Sequence, residues 1–539
     1  MVPGLVRPRT GYMQQVLRLG DLPVRVLAGL FGVLGVCVAA AGSWVPSLWG
    51  DEAATVMSAE RSWPSLFRML GNIDAVHGTY YAFMHVWIDV FGASAFSVRL
   101  PSAIATGCAA AGIIVLVTRL GGRQVAVVSA LAYLLIPRVT YMSCESREYA
   151  LSAACAVWLT VVFVQLVSAR NTRWFAWLGY ALLFAASVYV FLYLALMAFA
   201  HAVILVSVTR ERRILWRWLV ATALGIALAG PMIFFAVSEV GQIAFLSSRV
   251  TVGFTGFFVD QWFFSESFAA AAWICVFCAL AAFAIRNWRF RRTATPMAAM
   301  VRVFSTEKSS AEKSSPEKSS PGKDGPSLAV VAVAWAAVPT GLLLTANTVH
   351  ALYAARYLSF VIPAIALLIG SGICLLARRW MIVAAVSVLV ALSVPTYLHQ
   401  RGPYGMPGGS DWSEVAATIA QNAHRGDAIV FTEGGSPSQN PRSALYLYPS
   451  AFRGLTDATL VTPHAQSTGL WDVTEPVSHA GERLARGNGR VWLVLHRGAG
   501  TPVHPLELAG LEGLGYTVAR TIPENHDVVY LMTNASSSG

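Results

Sequence analysis

The chain has 539 residues, 56% of them apolar and 12% charged, and a mean hydropathy of +0.57. A soluble domain carries about 25% charged residues, so a wholly soluble protein is excluded. A net charge of +11 would suit a nucleic-acid partner in a soluble chain, but here the charges follow a membrane pattern.

The apolar excess lies before residue 400, in runs long enough to cross a bilayer, which takes about 20 residues. Runs at 26–46, 98–118, 124–143, 150–168, 174–190, 192–208, 214–235, 268–285, 328–345, 358–376 and 381–397 predict eleven crossings. The first run continues to Val45 without a small-residue cleavage site, unlike a removable leader. Residues 174–208 are read as two short crossings, because one long helix would break the arginine pattern. Cys275 and Cys278 have CxxC spacing but sit mid-span without further ligands, and they are read as packing residues. The other cysteines are scattered, and no disulfide framework is implied.

With a cytoplasmic N-terminus, the inner segments carry Arg7, Arg9, Arg18 and Arg25, then Arg119 and Arg123, Arg170 and Arg173, and Arg210, Arg212, Arg213 and Arg217. Nine more cations lie between Arg286 and Lys323, and Arg378 and Arg379 follow. The outer loops and outer span ends up to residue 357 hold only Arg61, Arg68, Arg99, Arg138, Arg147, Arg249 and Arg356. This asymmetry sets the orientation and places residues 400–539 outside, as expected for a multi-pass membrane protein with a cytoplasmic N-terminus.

Between the spans, the outer loop 47–97 is patterned. Ser62-Trp-Pro-Ser-Leu-Phe begins a short amphipathic helix, and Thr79 to Phe91 reads as an aromatic helix lying in the membrane interface. The linker 303–326 repeats Glu-Lys-Ser-Ser three times, at 307–310, 312–315 and 317–320. It cannot bury a core and is expected to be a disordered cytoplasmic segment. Residues 400–539 read as a small α/β domain, with a helix over 411–424 for which Ser413 is a candidate N-cap. Strands are predicted at 427–431 and 491–495, with a final hairpin over 517–532 turning at Pro523-Glu-Asn-His.

Chemistry-bearing residues gather on the outer side. Asp51 and Glu52, in Trp49-Gly-Asp-Glu-Ala, follow the first span. A carboxylate in a protein-lined cavity serves as a general base or a metal ligand. Equally, Asp51 fits the N-cap of a helix through Ala53–Ala59. Arg147, in Cys144-Glu-Ser-Arg-Glu-Tyr-Ala-Leu, fits a phosphate contact or an ion pair with Glu145 or Glu148. Arg356, in Tyr353-Ala-Ala-Arg-Tyr-Leu, fits a lipid phosphate held in a bidentate fork, or plain snorkelling to headgroups. His77, in Asp74-Ala-Val-His-Gly-Thr-Tyr-Tyr, stands where the loop returns to the membrane.

The Trp-x-Asp-Glu-Ala motif, His-x-x-Tyr-Tyr, Arg99-Leu-Pro-Ser102, Ser-Arg-Glu-Tyr-Ala-Leu and Arg-Tyr-Leu together resemble the GT-C glycosyltransferases. The resemblance covers most of residues 40–440 and is nearest to bacterial relatives of the protein O-mannosyltransferases (family 39) and of the aminoarabinose transferase acting on lipid A. Asp411-Trp-Ser-Glu followed by Gly426-Asp-Ala-Ile-Val is similar to the exported tail of actinobacterial members. It implies a polytopic all-α membrane domain over 1–399 with about eleven transmembrane helices, and an extracytoplasmic α/β domain over 400–539. The implied donor is a polyprenyl-phosphate sugar, mannose or another hexose or pentose. The implied acceptor is a hydroxyl on a protein, lipid glycan or wall polymer, and the anomeric centre inverts. Asp51 matches the catalytic acid, with Glu52 in support. Arg356, Arg147 and His77 would hold the donor phosphate. Tyr80, Tyr81, Glu145, Tyr149, Tyr189, Tyr193 and Tyr357 would line the substrate cavity. Two departures stand out: Gly78-Thr79 replaces the Pro-Pro of many relatives, and the Lys that some members use near this loop has no counterpart. No cofactor is expected and no metal constellation is visible, a divalent cation being the secondary alternative. A transporter or flippase of lipid-linked glycans is the first competing reading, but the spans are nearly uncharged and show no repeat. A non-catalytic cell-envelope assembly protein is the second, and it predicts that Asp51→Asn is harmless.

Overall fold

The computed structural model describes residues 22–170, 173–239, 241, 253–293, 325–432, 439–497 and 505–534. Most of the predicted linker, 303–324, lies outside the described residues.

The helices begin with α1 (Val24–Ala40), α2 (Gly50–Ala59), α3 (Trp63–Leu70), α4 (Gly78–Phe91), α5 (Ala95–Gly121), α6 (Arg123–Leu135), α7 (Pro137–Met142) and α8 (Tyr149–Ser168). Among the described residues six helices are long and apolar enough to cross a membrane, including α5, α8 and Leu328–Asn347, or seven if a bent pair counts as one. That pair is Arg212–Leu228 with Gly230–Ser238, bent by 53° just before Pro231, whose ring cannot continue the preceding hydrogen-bond ladder. The shorter apolar helices α1, α6, Trp174–Val190 and Leu192–Val208 accompany them. Several predicted runs are broken where straight helices were expected. The run 124–143 divides at Pro137 into α6 and α7, and 358–376 begins as a 3-10 helix over Ala355–Val361.

Close helix crossings follow from small residues, which let backbones approach where lipid supplies no hydrophobic drive. A β-carbon on Gly107 of α5 would lie 2.4 Å from the carbonyl oxygen of Gly32 in α1, and one on Gly372 would collide with the Cys275 backbone.

The outer segments α2 and α4 do not stand alone. Leu48, Val56, Met57, Tyr81 and Met84 share one core with Trp412, Val415, Ile419, Phe431 and Trp492 of the C-terminal part. Hydrogen bonds reinforce the seam: Arg61 donates to the carbonyls of Ser467, Gly469 and Leu470, and the Tyr448 hydroxyl accepts from the Leu48 amide. The outer face of α4 leaves Phe83, Val86, Val90 and Phe91 exposed, an apolar stripe suited to a membrane interface.

The C-terminal part follows the helix Arg379–Gln400. Its strands are β1 (Ala428–Phe431), β2 (Thr456–Asp457), β3 (Leu460–Thr462), β4 (Val473–Thr474), β5 (Arg490–His496), β6 (Tyr516–Pro523) and β7 (Asp527–Asn534). Five form a mixed sheet in the order β2-β1-β5-β7-β6, with β1 parallel to β2 and β5, and β7 antiparallel to β5 and β6. The predicted hairpin is β6–β7. The predicted helix spans Trp412–Asn422, and its cap position is Asp411, not Ser413. The Asp411 carboxylate makes no cap bond because it accepts instead from the backbone amides of His526 and Asp527, at 2.6 and 2.8 Å.

Candidate active site

The first turn of α2 carries both acidic residues, favoured there by the helix dipole. Asp51 is not the N-cap, a position that falls on Trp49. Being adjacent on a helix, Asp51 and Glu52 point about 100° apart, and their fates separate. Glu52 is fully buried, and its two oxygens accept from Arg99 Nε at 2.7 Å and Nη2 at 2.6 Å. The Ser146 amide adds a third bond at 2.9 Å. Arg99 in turn donates to the carbonyls of Ser43, Pro46 and Ser47. This pair locks α2 to α5 and to the turn before α8, and it positions Asp51 without facing a ligand.

Asp51 turns the other way. Its Oδ2 lies 2.5 Å from Arg356 Nη1. Arg356 opens the 3-10 helix Ala355–Val361, and its approach is held by Gln261, whose amide donates to the Ala355 carbonyl at 2.7 Å and whose oxygen accepts from the Tyr353 hydroxyl. Asp51 and Arg356 both line a cavity of about 1370 Å³ between the helical bundle and the C-terminal part. Arg138 lines it too: its guanidinium donates to the Asp260 carbonyl and stacks 3.9 Å from the Phe264 ring, and its Nε meets no acceptor among the described residues. Arg138 had been counted only as an outer cation. Its position straight after Pro137, at a span end, was the available signal.

Arg147 and His77 form a second cluster. His77 Nε2 is 3.1 Å from Arg147 Nη2, and its Nδ1 is 3.0 Å from Glu148. Arg147 also approaches Glu148 at 3.8 Å and the Tyr81 hydroxyl at 3.4 Å. Burial alone would raise the Glu148 carboxyl, but His77 and Arg147 outweigh it and hold it down to about 2. Of the two acids the sequence offered to Arg147, Glu148 is the one paired with it. Glu145 is 1% exposed, and neither oxygen meets a donor among the described residues. Burial, with the Asp51 charge adding to it, pushes its carboxyl up to about 8.

His77 and Arg147 do not line the cavity that Asp51 and Arg356 share, and neither do the tyrosines assigned to it. Tyr80, Tyr81 and Tyr149 are buried. Tyr193 stacks on Tyr357 with ring centroids 5.1 Å apart and donates to the Leu352 carbonyl, while Tyr189 donates to the Leu228 carbonyl. The Tyr193–Tyr357 stack adjoins Arg356 through Tyr357, its neighbour in the 3-10 helix. The cavity's upper side comes from residues the sequence did not single out, including Trp471, His496 and His526. Among the described residues no group of three or more His, Cys, Asp or Glu could hold a metal ion.

Residues 79–235 match the family model described as dolichyl-phosphate-mannose-protein mannosyltransferase. The crystal structure of ArnT from Cupriavidus metallidurans bound to undecaprenyl phosphate is 14% identical and superposes with a TM-score of 0.53, covering 96% of this chain and 100% of that one. The apo form of the same protein gives 14% identity and a TM-score of 0.52, covering 95% and 99%. No curated protein sequence is significantly similar. At that identity the likeness carries the fold, and the several long apolar helices identify a multi-pass membrane protein. The match over 79–235 makes that segment similar to the mannosyltransferase family, and the chain shares its fold with ArnT along nearly its whole length.

Proposed function

We propose that the protein transfers a sugar, mannose or another hexose or pentose, from a polyprenyl-phosphate carrier to an acceptor hydroxyl on the outer face of a bacterial plasma membrane. The observation that carries this reading is the carboxylate of Asp51 paired with Arg356 on the wall of one cavity. The relative crystallised with undecaprenyl phosphate and the family described by a dolichyl-phosphate-mannose donor support a polyprenyl-phosphate carrier. The arginine-rich segments, read as cytoplasmic, put Asp51, Arg356 and the C-terminal part outside.

In this mechanism the acceptor oxygen attacks the anomeric carbon as the bond from that carbon to the phosphate oxygen breaks. The electron pair stays on the leaving phosphate, and the acceptor proton passes to Asp51. A phosphate departs without a general acid, but its developing charge needs fixed cations, the kind of preorganised help that dominates many rate enhancements. Arg356 and Arg138 are the cations on the cavity wall. Arg147 and His77 act from behind, through Tyr81 and Glu148. Glu52 keeps Asp51 in place through Arg99. Single in-line displacement inverts the anomeric centre.

The test is to incubate membranes containing the wild type or Asp51→Ala with labelled polyprenyl-phosphate sugars. Transfer from one donor by the wild type, lost in the variant, is expected. Absence of transfer from every donor, or equal transfer by both proteins, refutes the proposal.

A further inference from the structure

The cavity above Asp51 has a second wall, built by the C-terminal part from Asp411, Trp412, Trp471, His496 and His526. His496 ends β5 and faces Asp527 of β7 in the strand register. The His496 Nδ1 lies 2.8 Å from Asp527 Oδ1. Asp527 is fully buried, and its Oδ2 meets no donor among the described residues. Asp411, 1% exposed, accepts the amides of His526 and Asp527. Burial pushes the Asp527 carboxyl up to about 7; the nearby Asp411 adds to this, while the His496 hydrogen bond opposes it. Two buried acids at the end of a sheet cost stability, and the strand pairing does not need them. What they accomplish is to fix the His496 ring on the cavity wall.

The rest of the wall indicates what it receives. Trp49 and Trp471 are partly exposed and line the same space, and flat aromatic faces pack against apolar C–H surfaces. A pyranose presents such a face together with a rim of hydroxyls. At about 1370 Å³ the cavity exceeds the ~300–1,000 Å³ usual for one small ligand, which leaves room for two sugars. A peptide added as an extended strand needs a free sheet edge, yet β5 and β7 are both interior strands of their sheet.

We propose that this wall is the acceptor site and that the acceptor is a carbohydrate, its ring lying against Trp471 and Trp49 and its hydroxyls held by His496, whose ring Asp527 orients. This rests on the glycosyl-transfer reading and narrows it. The C-terminal part then selects the acceptor, and the membrane part binds the donor.

The experiment uses purified full-length protein in lipid nanodiscs. Methyl glycosides and short manno- and arabino-oligosaccharides are titrated by saturation-transfer NMR, with Ser/Thr-containing peptides as a separate arm and a polyprenyl phosphate followed by intrinsic fluorescence as a third. Wild type is expected to bind at least one saccharide and none of the peptides. Trp471→Ala and the conservative His496→Gln should each weaken that saccharide about tenfold or more, equivalent to about 1.4 kcal/mol, while polyprenyl-phosphate affinity stays within about twofold. Retained lipid binding also verifies that the variants fold. Binding of peptides but no saccharide, saccharide affinity unchanged in both variants, or equal loss of lipid and saccharide would each overturn the inference. Failure of the wild type to bind any polyprenyl phosphate would instead strike the transfer reading beneath it.

Discussion

Replacing Asp51 by Asn separates binding from chemistry in an unusual direction. In the structure the cation proposed to hold the donor phosphate is already occupied by the proposed base, 2.5 Å away. A donor phosphate must therefore compete with Asp51 for Arg356, and the carboxylate also repels it. The two side chains are 28% and 18% exposed, so the pair is partly screened and contributes about 1–2 kcal/mol, between an exposed pair and a buried one. Asp51→Asn removes that competition, and affinity for polyprenyl phosphate should rise roughly 5- to 30-fold. Transfer should fall by about 10²–10⁴, the usual loss with a general base. Fluorescence titration with polyprenyl phosphate and initial rates with the labelled donor measure both quantities on one preparation. Weaker lipid binding in the variant, or a rate within a few-fold of wild type, would refute the competition and the role of base respectively.

Other outcomes follow from the same geometry. Arg356→Ala should weaken donor binding by losing a charge-assisted phosphate contact of about 1.5–3 kcal/mol, and unaltered donor kinetics would return Arg356 to lipid snorkelling. Glu52→Gln leaves the Arg99 charge buried and uncompensated, which should cost about 3–5 kcal/mol and lower the thermal unfolding midpoint sharply; an unshifted midpoint would contradict the buried pair. Gly107→Val places methyl groups against the Gly32 carbonyl and should cost about 1–3 kcal/mol through overpacking, read in the same assay. For Glu145 the folded carboxyl is raised to about 8 from the ordinary 4.5. Its contribution to stability is complete below pH 4.5, where both states are protonated. It declines as pH rises and the unfolded chain ionises first, and it levels off above about pH 8. The unfolding midpoint of the wild type, relative to that of Glu145→Gln, should fall across that window, and parallel pH curves would refute the shift.

The membrane domain was readable because lipid imposes a strong rule: apolar runs must be helical and cations collect on one side. The break at Pro137 and the bend after Leu228 were both missed, although Pro137 and Pro231 stand beside them. At the site, the motifs brought Asp51 and Arg356 forward, but no local pattern says that residues 305 positions apart touch. Arg99 was visible as an outer cation and as part of Arg-Leu-Pro-Ser, but its pairing with Glu52 is decided by which face of α2 meets α5. The cavity's upper wall was hidden for a related reason. Trp471 and His496 lie in separate connections and strands of the C-terminal part, and only the shared core with α2 and α4 swings them over Asp51. Sequence spacing describes faces of single elements; docking of one layer on another depends on shapes that emerge after folding.

The anomeric configuration of the product tests the central claim most directly. With a polyprenyl-phosphate sugar of known anomer, NMR of the product and assay of the released lipid should give the opposite anomer and one polyprenyl monophosphate per bond formed. Retention of configuration, or sugar transfer without a matching release of polyprenyl monophosphate, would contradict a single displacement assisted by Asp51.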